Sequence, residues 1–246
     1  MKNKVVIVTG GSKGIGRGAV EALLDRGAHV VVADIQRADD LPAGAHHVTC
    51  DVTSPASVDD MVKETAARFG RLNGLHANAG IIIYKPFLEM DDETWRKTLA
   101  VNLDGVFYCC RAAAREMAAH GGGAMVVTSS VRAEATSPLH AAYTASKGAV
   151  SALVTALATE LAPHKIRINA VLPGAIDTPM LRDAGRLFAD NDMAKLESFF
   201  LGMVPMKRVG QPREIGEAVA FLLSDAASYI TGAHLPVDGG MLSQLV

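Results

Sequence analysis

Tyr143 and Lys147 stand four residues apart in the stretch AAYTASKGA. On a helix that interval is slightly more than one turn, so the two side chains share a face and a phenol lies beside an ammonium. A free phenol titrates near pH ~10 and exchanges protons poorly at neutrality, whereas a nearby cation favours the phenolate. The pair is therefore suited to acid/base catalysis. The same spacing also occurs on plain solvated helix faces, so its meaning depends on what the rest of the chain brings to it.

A second group of residues speaks of nucleotide chemistry. VVIVTGGSKGIGRG places Gly10, Gly14 and Gly16 directly after a β-branched run and at the start of a helix-like segment. Glycines there permit a tight turn and let free N–H groups and the helix dipole approach a pyrophosphate. The Lys-Ser/Thr pair of a P-loop is missing, which points to a dinucleotide. Asp34 ends the next apolar run, where a carboxylate accepts hydrogen bonds from ribose hydroxyls and repels a 2′-phosphate. Lys13 within the turn argues the other way, as a phosphate partner or as a solvated loop charge. A carboxylate directly against the ribose outweighs a mobile lysine, so NAD is expected over NADP.

These residues need a scaffold, and the chain alternates β-branched runs with amphipathic stretches. Strands are expected at 4–9, 29–34, 46–52, 74–80, 124–130, 166–174 and 234–240, apolar without alternation, as in parallel strands buried on both faces. Helices are expected near 14–26, 55–69, 91–100, 104–119, 143–161 and 212–224, with Ser54-Pro55 and Gln211-Pro212 as start signals. The repeated βαβ order predicts a Rossmann-type, doubly wound α/β fold with a seven-stranded parallel sheet, read as one domain over 1–246. Residues 179–209, bounded by prolines and without a sheet role, are expected to form a substrate loop or lid.

Lys and Arg number 24 against 26 Asp and Glu, for a net charge of −2 and no long run of either sign. That balance argues against a nucleic-acid groove or an anionic membrane surface as partner. The three cysteines, Cys50, Cys109 and Cys110, lack metal-ligand spacing and are expected to be reduced and buried. No apolar run reaches the ~18 residues of a membrane span, and no secretory signal is recognisable, so a cytoplasmic protein is expected.

Taken together the motifs resemble those of the short-chain dehydrogenase/reductase family over essentially the whole chain. TGGSKGIG (9–16) is similar to its cofactor turn, Asp51-Val52 to its adenine contact and Asn78-Ala79-Gly80 to its central-strand motif. Asn102, Ser130, Tyr143 and Lys147 resemble its catalytic set, with 13 residues from the serine to the tyrosine. PGAIDTP (173–179) and PVDGG (236–240) match two late signatures, while Ala77 departs from the asparagine common before the central motif. The resemblance implies an NAD(P)-dependent oxidoreductase that interconverts a secondary alcohol and a ketone. It implies that Tyr143 carries the proton, Lys147 lowers the tyrosine's pKa and holds the nicotinamide ribose, and Ser130 donates to the substrate oxygen. Asn102 would hold a water leading to Lys147, unless it only caps the helix near Asp104. Cofactor contacts are implied at Gly10, Ser12, Lys13, Gly14, Ile15, Gly16, Asp34, Asp51, Val52, Asn78, Ala79, Gly80, Pro173, Gly174, Ile176 and Thr178. No metal is implied, and a homotetramer or homodimer is, built through the helices at 104–119 and 143–161.

Two ionisable residues flank this set. Arg132 lies two positions after Ser130 and His140 three before Tyr143, so both are candidates for substrate binding. A carboxylate or phosphate would give Arg132 a bidentate partner, although Glu134 at i+2 is a competing one and His140 could simply pack at the helix start. Arg182 and Arg186 either close over an anion or remain surface charges, and Arg208 is expected to fix the following helix. A small polar or anionic hydroxy or keto compound is the expected substrate. The alternatives are an NADPH-dependent 3-oxoacyl-thioester reductase and a nucleotide-binding sensor without turnover.

Overall fold

The computed structural model describes residues 1–188, 195, 198 and 201–244, with the backbone alone at 185–188. Strands β1 (Val5–Thr9), β2 (His29–Asp34), β3 (Ala45–Thr49), β4 (Gly74–Ala77), β5 (Gly123–Thr128), β6 (Ile166–Pro173) and β7 (His234–Val237) form one sheet in the order β3-β2-β1-β4-β5-β6-β7. Every pairing is parallel. The helices are α1 (Gly14–Leu24), α2 (Pro55–Phe69), α3 (Asp92–Leu99), α4 (Gly105–Ala119), α5 (Ala141–Leu161), α6 (Pro179–Phe188) and α7 (Pro212–Leu223). The expected Rossmann-type sheet is thus present. Among the described residues no helix is long and apolar enough to cross a membrane.

The uninterrupted apolar runs become strands covered on both faces. Alternate residues Ile7, Leu75, Met125 and Ile168 pack in one core layer, and Val6, Val8, Val126 and Val171 in the other. Strand order reverses at β1, which pairs with β2 on one side and β4 on the other, so a crevice opens beyond their carboxyl ends. Local signals set the helix starts. Ser54 accepts from the Ser57 N–H ahead of α2, and Gln211 and Glu214 form a capping box on α7. Arg208 pairs with Glu214 at 2.6 and 2.8 Å and so helps to hold that start, as expected.

Several boundaries differ from the sequence reading. The helices expected at 91–100 and 104–119 run into each other through a π-helical turn, Ala100–Asp104, and no capping bond forms at Asp104. Asn102 is therefore not a cap: its side chain is drawn sideways to Ile81, and the chain takes up an extra residue in that turn. The strands expected to reach 52, 80 and 130 stop at Thr49, Ala77 and Thr128. Beyond Ala77 the Asn78 and Ala79 N–H groups donate to the Thr9 hydroxyl, at 2.9 and 3.1 Å, in place of a neighbouring strand.

Helices α1 and α7 touch through backbone. A Cβ on Gly18 would lie 2.3 Å from the Pro212 carbonyl carbon, and one on Gly216 would lie 2.3 Å from the Gly18 carbonyl oxygen. Gly18→Ala is accordingly expected to lower stability by about 1–3 kcal/mol or more, since backbone cannot yield as a side chain can. Gly148→Ala, where nothing lies within 4 Å of the added carbon, should be neutral or stabilising. Denaturant melts of the two variants check both outcomes.

Candidate active site

The first strand turns into α1 without a side-chain cap. Lys13 holds the N-cap position with an extended backbone (φ −151°), which leaves the first N–H groups of the helix open to an anion. Gly10 has φ +64° and Gly14 φ +56°, so the turn requires residues without a Cβ penalty. A Cβ at Gly16 would sit 2.2 Å from the Gly10 carbonyl oxygen, which closes the turn against its own helix. The Asn78 amide lies inside the turn and donates to the Thr9 and Gly10 carbonyls at 3.1 and 3.3 Å. Asp34 accepts from the Ser12 N–H at 3.1 Å, which fixes its carboxylate beside the glycines. Asp51 binds the Thr53 N–H and hydroxyl at 2.9 and 2.7 Å, and Val52 is buried against Gly105.

A cavity of about 440 Å³ runs from this turn to the end of β5. Gly10, Lys13, Gly14, Ile15, Asp34, Asp51 and Val52 line one end, and Ser130, Arg132, His140, Tyr143 and Lys147 the other. Asn78, Ala79, Gly80, Pro173, Gly174, Ile176 and Thr178 form the wall between them. Thr178 accepts from the Leu181 N–H and so starts α6, whose Met180, Leu181 and Ala184 cover the cavity. Gly14, Thr178 and α6 lie close together: a Cβ on Gly14 would be 3.4 Å from the Thr178 methyl. The glycine turn, the uncapped helix start and the Asp34 carboxylate together suit a dinucleotide's pyrophosphate and adenosine ribose.

The structure brings the expected catalytic set together, but by contacts other than those expected. Lys147 is 2% exposed; its Nζ donates to the Thr128 carbonyl at 2.7 Å and lies 5.7 Å from the centre of the Tyr143 ring. Burial pushes this ammonium down to about 8. The Tyr143 phenol is raised above its usual value by burial, opposed by the Ser130 hydroxyl and the Arg132 charge. The expected lowering by Lys147 is therefore not found. The lysine faces a main-chain carbonyl rather than the phenol oxygen, and the dry surroundings penalise both charged forms. Asn102 is fully buried and spent on structure: Oδ1 accepts from the Ile81 N–H at 2.8 Å, and Nδ2 donates to the Ile81 carbonyl and the Ser146 hydroxyl. Its side chain holds the segment after Gly80.

Arg132 lines the cavity, half-buried, and forms no pair with Glu134. His140 stands just before α5, with Nδ1 bonded to the Pro138 carbonyl at 2.7 Å. Arg182 is turned away onto Asp177 at 3.0 Å, and the Arg186 side chain lies outside the described residues, as does much of the expected lid. The sequence reading missed Tyr84, whose ring meets His140 edge-on at 5.1 Å inside the cavity. It also missed His76 and Thr128. The His76 Nε2 lies 2.8 Å from the Thr128 hydroxyl, which donates to the Asn78 amide oxygen. A histidine inside an apolar strand was the one available signal for that network.

Removing the buried ammonium tests this picture. A group whose folded pKa (about 8) lies below its ordinary 10.5 destabilises the fold below pH 8, and the penalty fades as pH rises toward 10.5. Lys147→Met should therefore be more stable than the parent at pH 7, by about 1–3 kcal/mol. The difference should shrink through that window, as followed by urea unfolding at several pH values.

Known proteins share this arrangement. Residues 10–242 match the family model described as Enoyl-(Acyl carrier protein) reductase. The cis-4-hydroxycyclohexanecarboxylate dehydrogenase of Sinomonas cyclohexanicum is 40% identical over 246 residues, 96% of each chain. The 2,5-dichloro-2,5-cyclohexadiene-1,4-diol dehydrogenase of Sphingobium indicum is 38% identical over 98% of this chain and 97% of that one. The solved structure of Thermoplasma acidophilum aldohexose dehydrogenase superposes with a TM-score of 0.94 at 38% identity, covering 99% of this chain and 96% of that one. The chain belongs to the short-chain dehydrogenase/reductase family and is an NAD(P)-dependent oxidoreductase of secondary alcohols.

Proposed function

We propose that the chain oxidises a small polar secondary alcohol with NAD+ as acceptor, and that Tyr143 carries the carbinol proton. The observation that carries this reading is that Tyr143, Ser130 and Lys147 share one cavity with the glycine turn and Asp34. The bound nicotinamide supplies the hydride acceptor. Tyr143 takes the hydroxyl proton as the C–H bond breaks and returns it in the reverse direction. Ser130 donates to the same oxygen and stabilises the charge that develops there. Lys147 holds the ribose next to the tyrosine, and Asn102 acts through Ile81 to keep the cavity wall in place. Gly10 to Gly16 cradle the pyrophosphate, Asp51 and Val52 border the adenine, and Asn78, Ala79, Gly80, Pro173, Gly174, Ile176 and Thr178 seat the nicotinamide half.

Asp34 supports NAD over NADP. Its carboxylate is held by the Ser12 N–H while Lys13 is exposed to solvent, so a 2′-phosphate meets fixed negative charge before it meets a cation. Names of relatives that act on ring alcohols and sugars favour this reading over thioester reduction. The bulky Phe107 and Tyr108, partly exposed on α4 with Arg111 over both rings, suit a homo-oligomer packed through α4 and α5.

Tyr143→Phe should lower kcat by about 10²–10⁴-fold with the KM for NAD+ little changed; parental turnover would sink the mechanism. The ratio of kcat/KM for NAD+ over NADP+ should exceed one and fall at least about tenfold in Asp34→Ser, a loss on the scale of one charge-assisted contact. A parent preferring NADP+ would reverse the cofactor reading. Sedimentation should give a dimer or tetramer, and a monomer at micromolar concentration would remove the oligomer.

A further inference from the structure

Seven other arginines have carboxylate or carbonyl partners, and Arg111, whose buried Nε makes no hydrogen bond, lies over the Phe107 and Tyr108 rings. Arg17, Arg96, Arg182, Arg208 and Arg213 each face a carboxylate within 3.5 Å, Arg26 bonds Glu217, and Arg167 donates to the Leu222, Ser224 and Ile230 carbonyls. Arg132 differs. Its backbone is pinned, because its N–H donates to the Ser130 hydroxyl at 3.1 Å in the 3-10 turn Val131–Ala133 that follows β5. Its guanidinium is half-buried on the cavity wall and has no hydrogen-bond or ion-pair partner among the described residues. A cation taken partly out of water without a partner is unfavourable unless an anion joins it.

Among the described residues no carboxylate pairs with it, and the nearby Asp183 acts on Tyr84. His140, 8% exposed, has Nδ1 at 2.7 Å from the Pro138 carbonyl, and burial keeps its pKa below the ordinary value, which disfavours the charged ring. Tyr84 stacks edge-on against it and is pushed up to about 12, so it stays neutral. The remaining surface here is apolar, from Ile81, Ile82, Met180 and Leu181. One guanidinium, with the neighbouring Lys147 ammonium turned onto the Thr128 carbonyl, suits a monoanion, and its fork geometry matches a carboxylate.

Resting on the secondary-alcohol chemistry proposed for Tyr143, we infer that the natural substrate is a hydroxy monocarboxylic acid with a short aliphatic or alicyclic skeleton, its carboxylate paired with Arg132. The skeleton lies on the apolar wall while the carbinol reaches Ser130 and Tyr143. Pairing also neutralises a charge that favours the Tyr143 phenolate. The rising limb of the oxidation rate profile, on which Tyr143 loses its proton, should therefore lie at higher pH for an acid than for its neutral ester.

The test compares 3-hydroxycyclohexanecarboxylate with its methyl ester as substrates, and measures cyclohexanecarboxylate and its methyl ester as ligands of the NAD+-loaded enzyme by calorimetry. The parent should favour acid over ester by about 10–100-fold in kcat/KM and in affinity, the value of a charge-assisted contact. In Arg132→Met both ratios should fall to near one, and Arg132→Lys should restore part of them. Equal losses for acid and ester in Arg132→Met, or a parent that binds the two alike, would overturn the assignment. Turnover of the ester by the parent and its loss in Tyr143→Phe would then leave the alcohol chemistry standing. Parental turnover by Tyr143→Phe would instead remove the reading beneath it.

Discussion

An ammonium kept out of water is the constraint on which the site depends. Lys147 is buried on α5, and its Nζ has the Thr128 carbonyl as its hydrogen-bond partner. A dry environment raises the worth of each dipole around that charge and penalises any neighbouring group that would charge without help. Tyr143 shares the environment, so its readiness to give up a proton depends on what surrounds it rather than on the lysine alone. Ser130 and Arg132 supply the opposing influence within the chain.

Thr128 links the two halves of the crevice. Its carbonyl accepts a hydrogen bond from Lys147 and its hydroxyl bridges His76 to Asn78, whose amide enters the glycine turn. His76 is fully buried and pushed down to about 3, so this bridge stays neutral across the working range. The end of β5 thus carries nucleotide positioning and proton chemistry on adjacent atoms. Such coupling is available only where parallel strands finish together, which the reversal of strand order at β1 provides.

Much of this was legible in the chain because the signals are local. The β-branched runs name strands buried on both faces, the glycines name a turn with φ above zero, and the Tyr143–Lys147 interval names a shared helix face. What was hidden depends on distant partners. Asn102 read as a possible cap because Asp104 follows it, yet Ile81, 21 residues earlier, claims its amide. Arg132 read as a possible partner of Glu134, and only the tight turn after Ser130 separates the two. Tyr84 carries no spacing relation to Tyr143, and the stretch that brings it into the cavity is irregular, so sequence offered no handle. The strand ends were overextended for the same reason: Thr9, not a neighbouring strand, binds the residues after Ala77.

The backbone contact of α1 with α7 has a consequence for synthesis. The glycine turn leaves the ribosome well before the surface that α1 packs against, from Pro212 to Gly216. An incomplete chain would expose the apolar flank of α1, including Val20 and Leu23, to water and to other nascent chains. Docking of α1 therefore waits for α7, and its apolar flank needs protection until α7 has emerged.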